Sequence, residues 1–293
     1  MPQVTANGIT IAYETHGNPA DPPLLLVMGL GAQLTLWPIE LVEALAARGF
    51  YVIRHDNRDI GLSEKFGHAG IPNFRKVALL RMFGIRTRLP YRLSDMAGDS
   101  VALLSALGID SAHVVGGSMG GMIAQLMAIE HPERVRTLTS IFSTTGNPRL
   151  PRPRPAAMEA LLSKPPANAT LEQVLPIGIK VARAIGSPAY PAPEERLRAR
   201  ITSDYHRSFY PEGAARQLAA IMDDGDRRRR LKRVTAPTLV IHGIDDPLVP
   251  VEGGRDTAKA IPGAKLHEIA GMGHDLPVEL VDEIAGKIAE HAR

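Results

Sequence analysis

The stretch that decides the fold is HVVGGSMGGMIAQ, residues 113–125. A short apolar run enters it, a run with helical spacing leaves it, and between them glycines flank a single serine. Glycines after a strand mark a tight turn or a loop that cradles phosphate. The phosphate reading fails on the residues. Met122 and Ile123 follow Gly121 where a P-loop needs Lys and then Ser or Thr, and adjacent Gly116 and Gly117 break the pattern G-x-G-x-x-G. What fits is G-x-S-x-G over Gly116, Gly117, Ser118, Met119 and Gly120, in which a nucleophilic serine is lifted on a sharp strand-to-helix turn. Residues two before and two after that serine approach each other closely, so Gly116 and Gly120 have a steric reason to be glycine.

The same alternation extends outward. ITIAYET (9–15) reads as a strand after an Asn7-Gly8 turn. PPLLLVMGLG (22–31), FYVIRHDNRDIG (50–61), VRTLTSIFS (135–143), APTLVIHGIDDPLVP (236–250) and AKLHEIA (264–270) carry apolar runs bounded by Pro, Gly or polar turns, as strands buried on both faces do. Helices are predicted over 38–48, over 93–108 with Ser94 as N-cap and Gly108 as its stop, over 119–131, around 252–261 and from about 277. Strands alternating with helices predict a doubly wound, mostly parallel sheet. The alternation lapses over 145–233, which is helical and Pro-rich, and more briefly over 64–92. The reading is an α/β core domain in 1–144 and 234–293, interrupted by a helical lid at 145–233 that PRLPRPRP (148–155) enters stiffly.

Composition bounds the chemistry. The 293 residues, 44% of them hydrophobic, suffice for a sizeable core, and a net charge of +3 is slight for this length. There is no cysteine, which excludes disulfides, thiolate metal sites and cysteine nucleophiles. The N-terminus has no basic region followed by an apolar core, and LLLVMGL (24–30) is far too short to cross a bilayer, so a cytoplasmic protein without a membrane partner is expected. RRRR (227–230) is the one dense cationic run. With no aromatic residue interleaved it reads as a solvated helix face or loop, with no nucleic acid partner.

A serine hydroxyl needs a base within hydrogen-bond reach, and the base needs a group that orients it. Ligands of parallel sheets bind beyond the carboxyl ends of the strands, so both partners are sought there. Of ten histidines, His274 is best placed. It follows the last strand in GMGH, where two glycines free the backbone to aim it. His55, at another strand end, comes second. Asp245 and Asp246 follow TLVIHG directly, and the chain order Ser118, Asp, His274 is that of the α/β-hydrolase arrangement. The N–H of Met119, next to the serine at a helix N-terminus, is a natural donor to an oxyanion.

On LLLVMGLG, IRHDNRDIGLSE, HVVGGSMGGMIAQ, TLVIHGIDDPLVP and AGMGH the sequence resembles the α/β-hydrolase fold serine esterases. Within them it is similar to the aclacinomycin methylesterase group of polyketide-processing esterases, over nearly the whole chain outside the insertions. The resemblance implies the α/β-hydrolase fold, a mostly parallel central sheet flanked by helices with a helical lid. It implies catalytic Ser118, Asp246 and His274, with Asp245 the runner-up acid, and an oxyanion hole from the N–H groups of Leu30 and Met119. Met28-Gly29 stands where the family usually has His-Gly, which a backbone donor tolerates. Residues 56–63 resemble D-x-R-G-x-G-x-S with Asp59 in place of the first Gly, and read as a structural turn tying down the loop near the site. The expected function is ester hydrolysis through an acyl-enzyme on an apolar small-molecule ester, without cofactor or metal. Epoxide hydrolases and haloalkane dehalogenases use Asp where this chain has Ser118. Lactonases, perhydrolases or haloperoxidases, carbon–carbon hydrolases and a slow-turnover ligand receptor share the triad, so the motif leaves them open. The pocket walls are expected from 64–92 and 145–233, with Met82, Phe83, Tyr205, Phe209 and Met222 as apolar candidates.

Overall fold

The computed structural model describes residues 1–163 and 165–293. The chain opens on a hairpin, β1 (Gln3–Ala6) and β2 (Ile9–His16). Asn7 and Gly8 join them with φ of 51° and 75°, the left-handed pair that matches the twist of a two-residue hairpin. The sequence reveals that turn but not β1, which buries only Ala6 of its four residues and so carries no pattern.

Six more strands follow: β3 (Pro23–Val27), β4 (Tyr51–His55), β5 (Ala112–Gly117), β6 (Val135–Ile141), β7 (Thr238–Gly243) and β8 (Lys265–Ile269). The sheet order is β1-β2-β4-β3-β5-β6-β7-β8, with β1/β2 and β2/β4 antiparallel and the other pairs parallel. β3 shows why these strands read as unbroken apolar runs. Leu24 and Leu26 enter the core on one face with α1 (Ile39–Ala47), while Leu25 and Val27 enter the core on the other. Successive side chains point to opposite faces, and both faces are covered.

The remaining helices are α2 (Phe74–Met82), α3 (Leu93–Ala106), α4 (Met119–Glu130), α5 (Pro155–Leu162), α6 (Leu171–Ile185), α7 (Glu194–Ser208), α8 (Pro211–Asp224), α9 (Arg228–Leu231), α10 (Glu252–Ala260) and α11 (Val281–Ala292). α3 and α4 cover one face of the sheet, α1 and α11 the other. α3 starts two residues earlier than Ser94 as N-cap would allow. Arg92 is its N-cap, and its backbone N–H donates to Asp95 Oδ2 at 2.7 Å. Among the described residues no helix is long and apolar enough to cross a membrane.

Between β6 and β7 the chain divides. α5, α6 and α7 pack on one another, whereas α8 packs on α2 and α3 and sends Ala220 into the main core, joined there by Leu231 and Val234. Lys164, inside the 145–233 insertion, lies outside the described residues. The arginine run departs from a solvated face. Arg227 is buried, donating from Nε to Gln125 Oε1 at 3.0 Å and from Nη2 to the Thr144 carbonyl at 2.7 Å, and it pairs with Asp224. Arg228 and Arg230 pair with Asp226 and Asp224. Four adjacent cations are tolerated because three are neutralised locally by the acids that precede them.

Candidate active site

Ser118 is the hinge between β5 and α4. Its φ of 55° and ψ of −119° are strained for a residue with a Cβ, the conformation of a sharp strand-to-helix elbow. The strain is held from both sides: Ser118 N–H donates to the Ile141 carbonyl at 2.9 Å, and Ser143 Oγ donates to the Ser118 carbonyl at 2.7 Å. The flanking glycines are steric requirements. A Cβ on Gly116 would lie 2.2 Å from the Gly120 carbonyl oxygen, and one on Gly120 would lie 1.9 Å from the Val27 carbonyl oxygen.

His274 comes to this serine from the loop after β8, the edge strand of the sheet. Its Nε2 stands 3.0 Å from Ser118 Oγ, and its Nδ1 stands 2.7 Å from Asp246 Oδ2. The second Asp246 oxygen accepts from the N–H groups of Leu248 and Val249, each at 2.8 Å. A carboxylate with fixed backbone donors on one oxygen presents the other to imidazole in one orientation. The three predicted residues, 28 to 156 positions apart in sequence, are thus joined in one hydrogen-bonded chain. Asp245 is not part of it. Its Oδ2 accepts from Gly271 N–H at 2.8 Å, bracing the loop before His274. His55 is also apart, buried against Ser100 Oγ at 3.4 Å, and burial pulls its pKa down to about 4. His242 packs behind Asp246, its Nε2 2.8 Å from the Val249 carbonyl, and burial lowers its pKa as well.

Beside Ser118 lies the turn after β3. A Cβ on Gly29 would sit 3.1 Å from the Ser118 Cβ, so the Gly29–Leu30 peptide runs directly past the serine. Neither Leu30 N–H nor Met119 N–H meets a protein acceptor among the described residues. The turn is tied from outside: Asn57 Nδ2 donates to the Met28 carbonyl at 2.8 Å, and Asp56 Oδ1 accepts from Leu34 N–H at 2.8 Å. Residues 56–63 therefore hold the loop near the site, as their structural reading implies. Asp59 stands in a left-handed backbone conformation, with φ of 74°, and its buried carboxylate binds Arg216 and Tyr91.

Two neighbours carried no sequence signal. Gln217 of α8 accepts from Gly31 N–H at 2.9 Å and donates to the Arg58 carbonyl at 3.0 Å, bridging the two loops. Phe142, just past β6 with φ of 37°, lays its ring 4.7 Å from the His274 ring. A bulky residue at positive φ is uncommon and tends to mark a functional region.

Ser118 and His274 open into a cavity of about 1700 Å³, walled by the sheet end and by α5–α8. Its lining is mostly aliphatic and aromatic and includes Trp37, Phe142, Ile177, Val181, Tyr205 and Phe209. Of the expected candidates, Tyr205 and Phe209 line it. Met82, Phe83 and Met222 do not, nor does any residue of 64–92; Met82 at the end of α2 and Phe83 just past it turn outward instead, 82% and 72% exposed.

The α/β hydrolase fold family matches residues 22–279. This chain belongs to that family. The α/β hydrolase is 32% identical to the rhodomycin D methylesterase DauP of Streptomyces sp. (strain C5), over 99% of this chain and 97% of that one. A 2-hydroxymuconate semialdehyde hydrolase of Pseudomonas sp. (strain CF600) is 26% identical over 96% of this chain and 90% of its own length. Among solved structures, the enol-lactonase from Burkholderia xenovorans LB400 superposes on this α/β hydrolase with a TM-score of 0.75 at 24% identity, over 99% of both chains.

Proposed function

We propose that this α/β hydrolase is a serine esterase that cleaves an apolar carboxylic ester through an acyl-enzyme. The observation that carries the reading is the chain Ser118–His274–Asp246, opening on a large apolar cavity. Ser118 Oγ attacks the ester carbonyl while His274 Nε2 takes its proton. The negative charge on the carbonyl oxygen meets the N–H groups of Leu30 and Met119, the oxyanion hole. His274 returns the proton to the alcohol oxygen, the C–O bond breaks and the alcohol leaves. Water then attacks the acyl-enzyme by the same steps, releasing the acid. Asp246 holds the imidazole tautomer and stabilises the positive charge that His274 carries transiently. Similarity to methylesterases of rhodomycin D supports a bulky polycyclic methyl ester as the substrate class, and of residues 145–233 the helices α5–α7, which pack on one another apart from the core, are its lid.

The test is a fluorophosphonate probe combined with p-nitrophenyl esters of rising acyl length, bulky methyl esters and lactones. The wild type should be labelled and turn over apolar esters best. Ser118→Ala should lose labelling and roughly 10⁴-fold or more of kcat while keeping its fold. Full labelling of Ser118→Ala, or lactone turnover far above every ester, would sink the reading.

A further inference from the structure

The end of α6 and the turn after it meet the loop that carries His274 at four points. The Ile185 carbonyl accepts from His274 N–H at 2.7 Å. Ser187 Oγ accepts from Gly273 N–H at 2.8 Å and donates to Asp275 Oδ1. Ala189 N–H donates to the Gly271 carbonyl at 3.2 Å. The approach is too close for side chains: a Cβ on Gly273 would lie 2.4 Å from the Gly186 carbonyl oxygen, and one on Gly271 2.4 Å from the Ala189 Cβ. Two glycines in four residues leave the loop little stiffness of its own, so its position must be imposed from outside. The sheet side supplies Asp245, bonded to Gly271 N–H and, through its own N–H, to the Met272 carbonyl. Among the described residues, every hydrogen bond to residues 273–275 outside the Ser118–His274–Asp246 chain comes instead from the end of α6 and the turn after it.

Resting on the reading of Ser118 and His274 above, we propose that Ser187 and Asp275 are positioning residues for His274. The turn after α6 splints the histidine loop, so that seating the helical segment and holding the imidazole on Ser118 are one event. Ser187 is the pivot because its hydroxyl is used fully, as acceptor from one side of His274 and as donor to the other. It is buried, at 3% exposure, and touches no reacting atom. Burial pushes the Asp275 carboxyl up, and the Ser187 hydroxyl is the strongest influence drawing it back, so the bond also favours the charged acceptor that grips the loop.

The experiment uses the full chain. Ser187→Ala should lower kcat for p-nitrophenyl acetate by roughly ten- to a hundredfold through a misplaced base, with KM changed by less than about twofold. Ser187→Thr, which keeps the hydroxyl, should recover most of the loss. Asp275→Ala should resemble Ser187→Ala, and the double variant should be no slower than the worse single one, because both remove one interaction. An unchanged kcat in Ser187→Ala, or losses that multiply in the double variant, would overturn the proposal. A second readout needs no turnover: the downfield NMR resonance of the proton between His274 Nδ1 and Asp246 should broaden in Ser187→Ala and stay sharp in Ser187→Thr. If the wild type neither hydrolyses esters nor takes the fluorophosphonate, the esterase reading fails. The resonance alone then decides the splint, and an identical signal in Ser187→Ala overturns it.

Discussion

Helices α4 and α6 are both apolar along much of their length, yet they end in opposite circumstances. α4 buries eleven of its twelve residues, wedged against α3, β5 and β6. α6 buries none of its fifteen. Its Val174, Ile177 and Val181 face the cavity. An apolar side chain that finds close-packed protein fixes its backbone, and α4 thereby fixes Ser118 and the N–H of Met119 at its head. An apolar side chain that finds a cavity instead leaves its surface to a ligand. One end of the molecule is built to hold atoms still, the other to accept a substrate.

The comparison can be broken most sharply at the rigid end. Asp246→Asn should cut kcat by roughly 10⁴-fold, because it leaves the imidazole in the wrong tautomer. Asp245→Asn, whose oxygen can still accept from Gly271 N–H, should retain most of the turnover. Steady-state kinetics on a p-nitrophenyl ester ranks the two, and the opposite order would place the acid one residue earlier.

Two glycine substitutions compare the regions by stability. Gly120→Ala puts a methyl 1.9 Å from the Val27 carbonyl oxygen, a backbone atom that cannot yield without moving α4 off β3. It should cost about 3 kcal/mol or more in urea unfolding. Gly178→Ala, inside α6, meets only the Ile201 side chain, Cδ1 at 2.9 Å, Cγ1 at 3.2 Å and Cγ2 at 3.3 Å, which must give by a few tenths of an ångström, and no backbone atom is involved. Its strain is offset by the better helix propensity of Ala, of about 1 kcal/mol, so its midpoint should hardly move. Equal losses would mean that α6 is packed as tightly as α4.

A titration sharpens the same contrast. His55 is buried in the rigid half with its pKa at about 4, below the usual histidine value. Below about pH 6.5 the unfolded chain takes up a proton that the folded one refuses. The contribution of neutral His55 is therefore complete above that pH and is lost as pH falls towards 4. Relative to His55→Gln, the wild type should lose roughly 2–3 kcal/mol across that window. Parallel stability curves would show that His55 is protonated in the folded state.

The smallest effect belongs to the cavity. Ile177→Ala removes apolar surface facing substrate and should raise KM for a long-chain p-nitrophenyl ester about fivefold, the equivalent of about 1 kcal/mol. KM for the acetate and the melting temperature should stay near wild type. A large melting shift would mean that Ile177 serves packing more than binding.

The sequence by itself determined the backbone geometry of the site. Gly116 and Gly120 announce the elbow because only a hydrogen fits where they meet Gly120 and Val27. The strand ends point to His274 and to the Asp245-Asp246 pair because a parallel sheet directs every carboxyl end to one side. These are local or topological signals, legible without knowing which helix lies where. Tertiary structure decided what meets across the gaps. Gln217 reaches Gly31 over 186 positions, and Ser187 reaches Asp275 over 88. The exposed methionine and phenylalanine of 82–83 could not be told from lining residues by type, because exposure depends on how α2 is rotated against α8. Nor could Arg227 be told from its three neighbouring arginines, although the fold buries it against Gln125 and the Thr144 carbonyl. A residue's type and spacing encode the shape of its own backbone. Its partner depends on the relative placement of elements far apart in the chain, which the packing of the whole core settles at once.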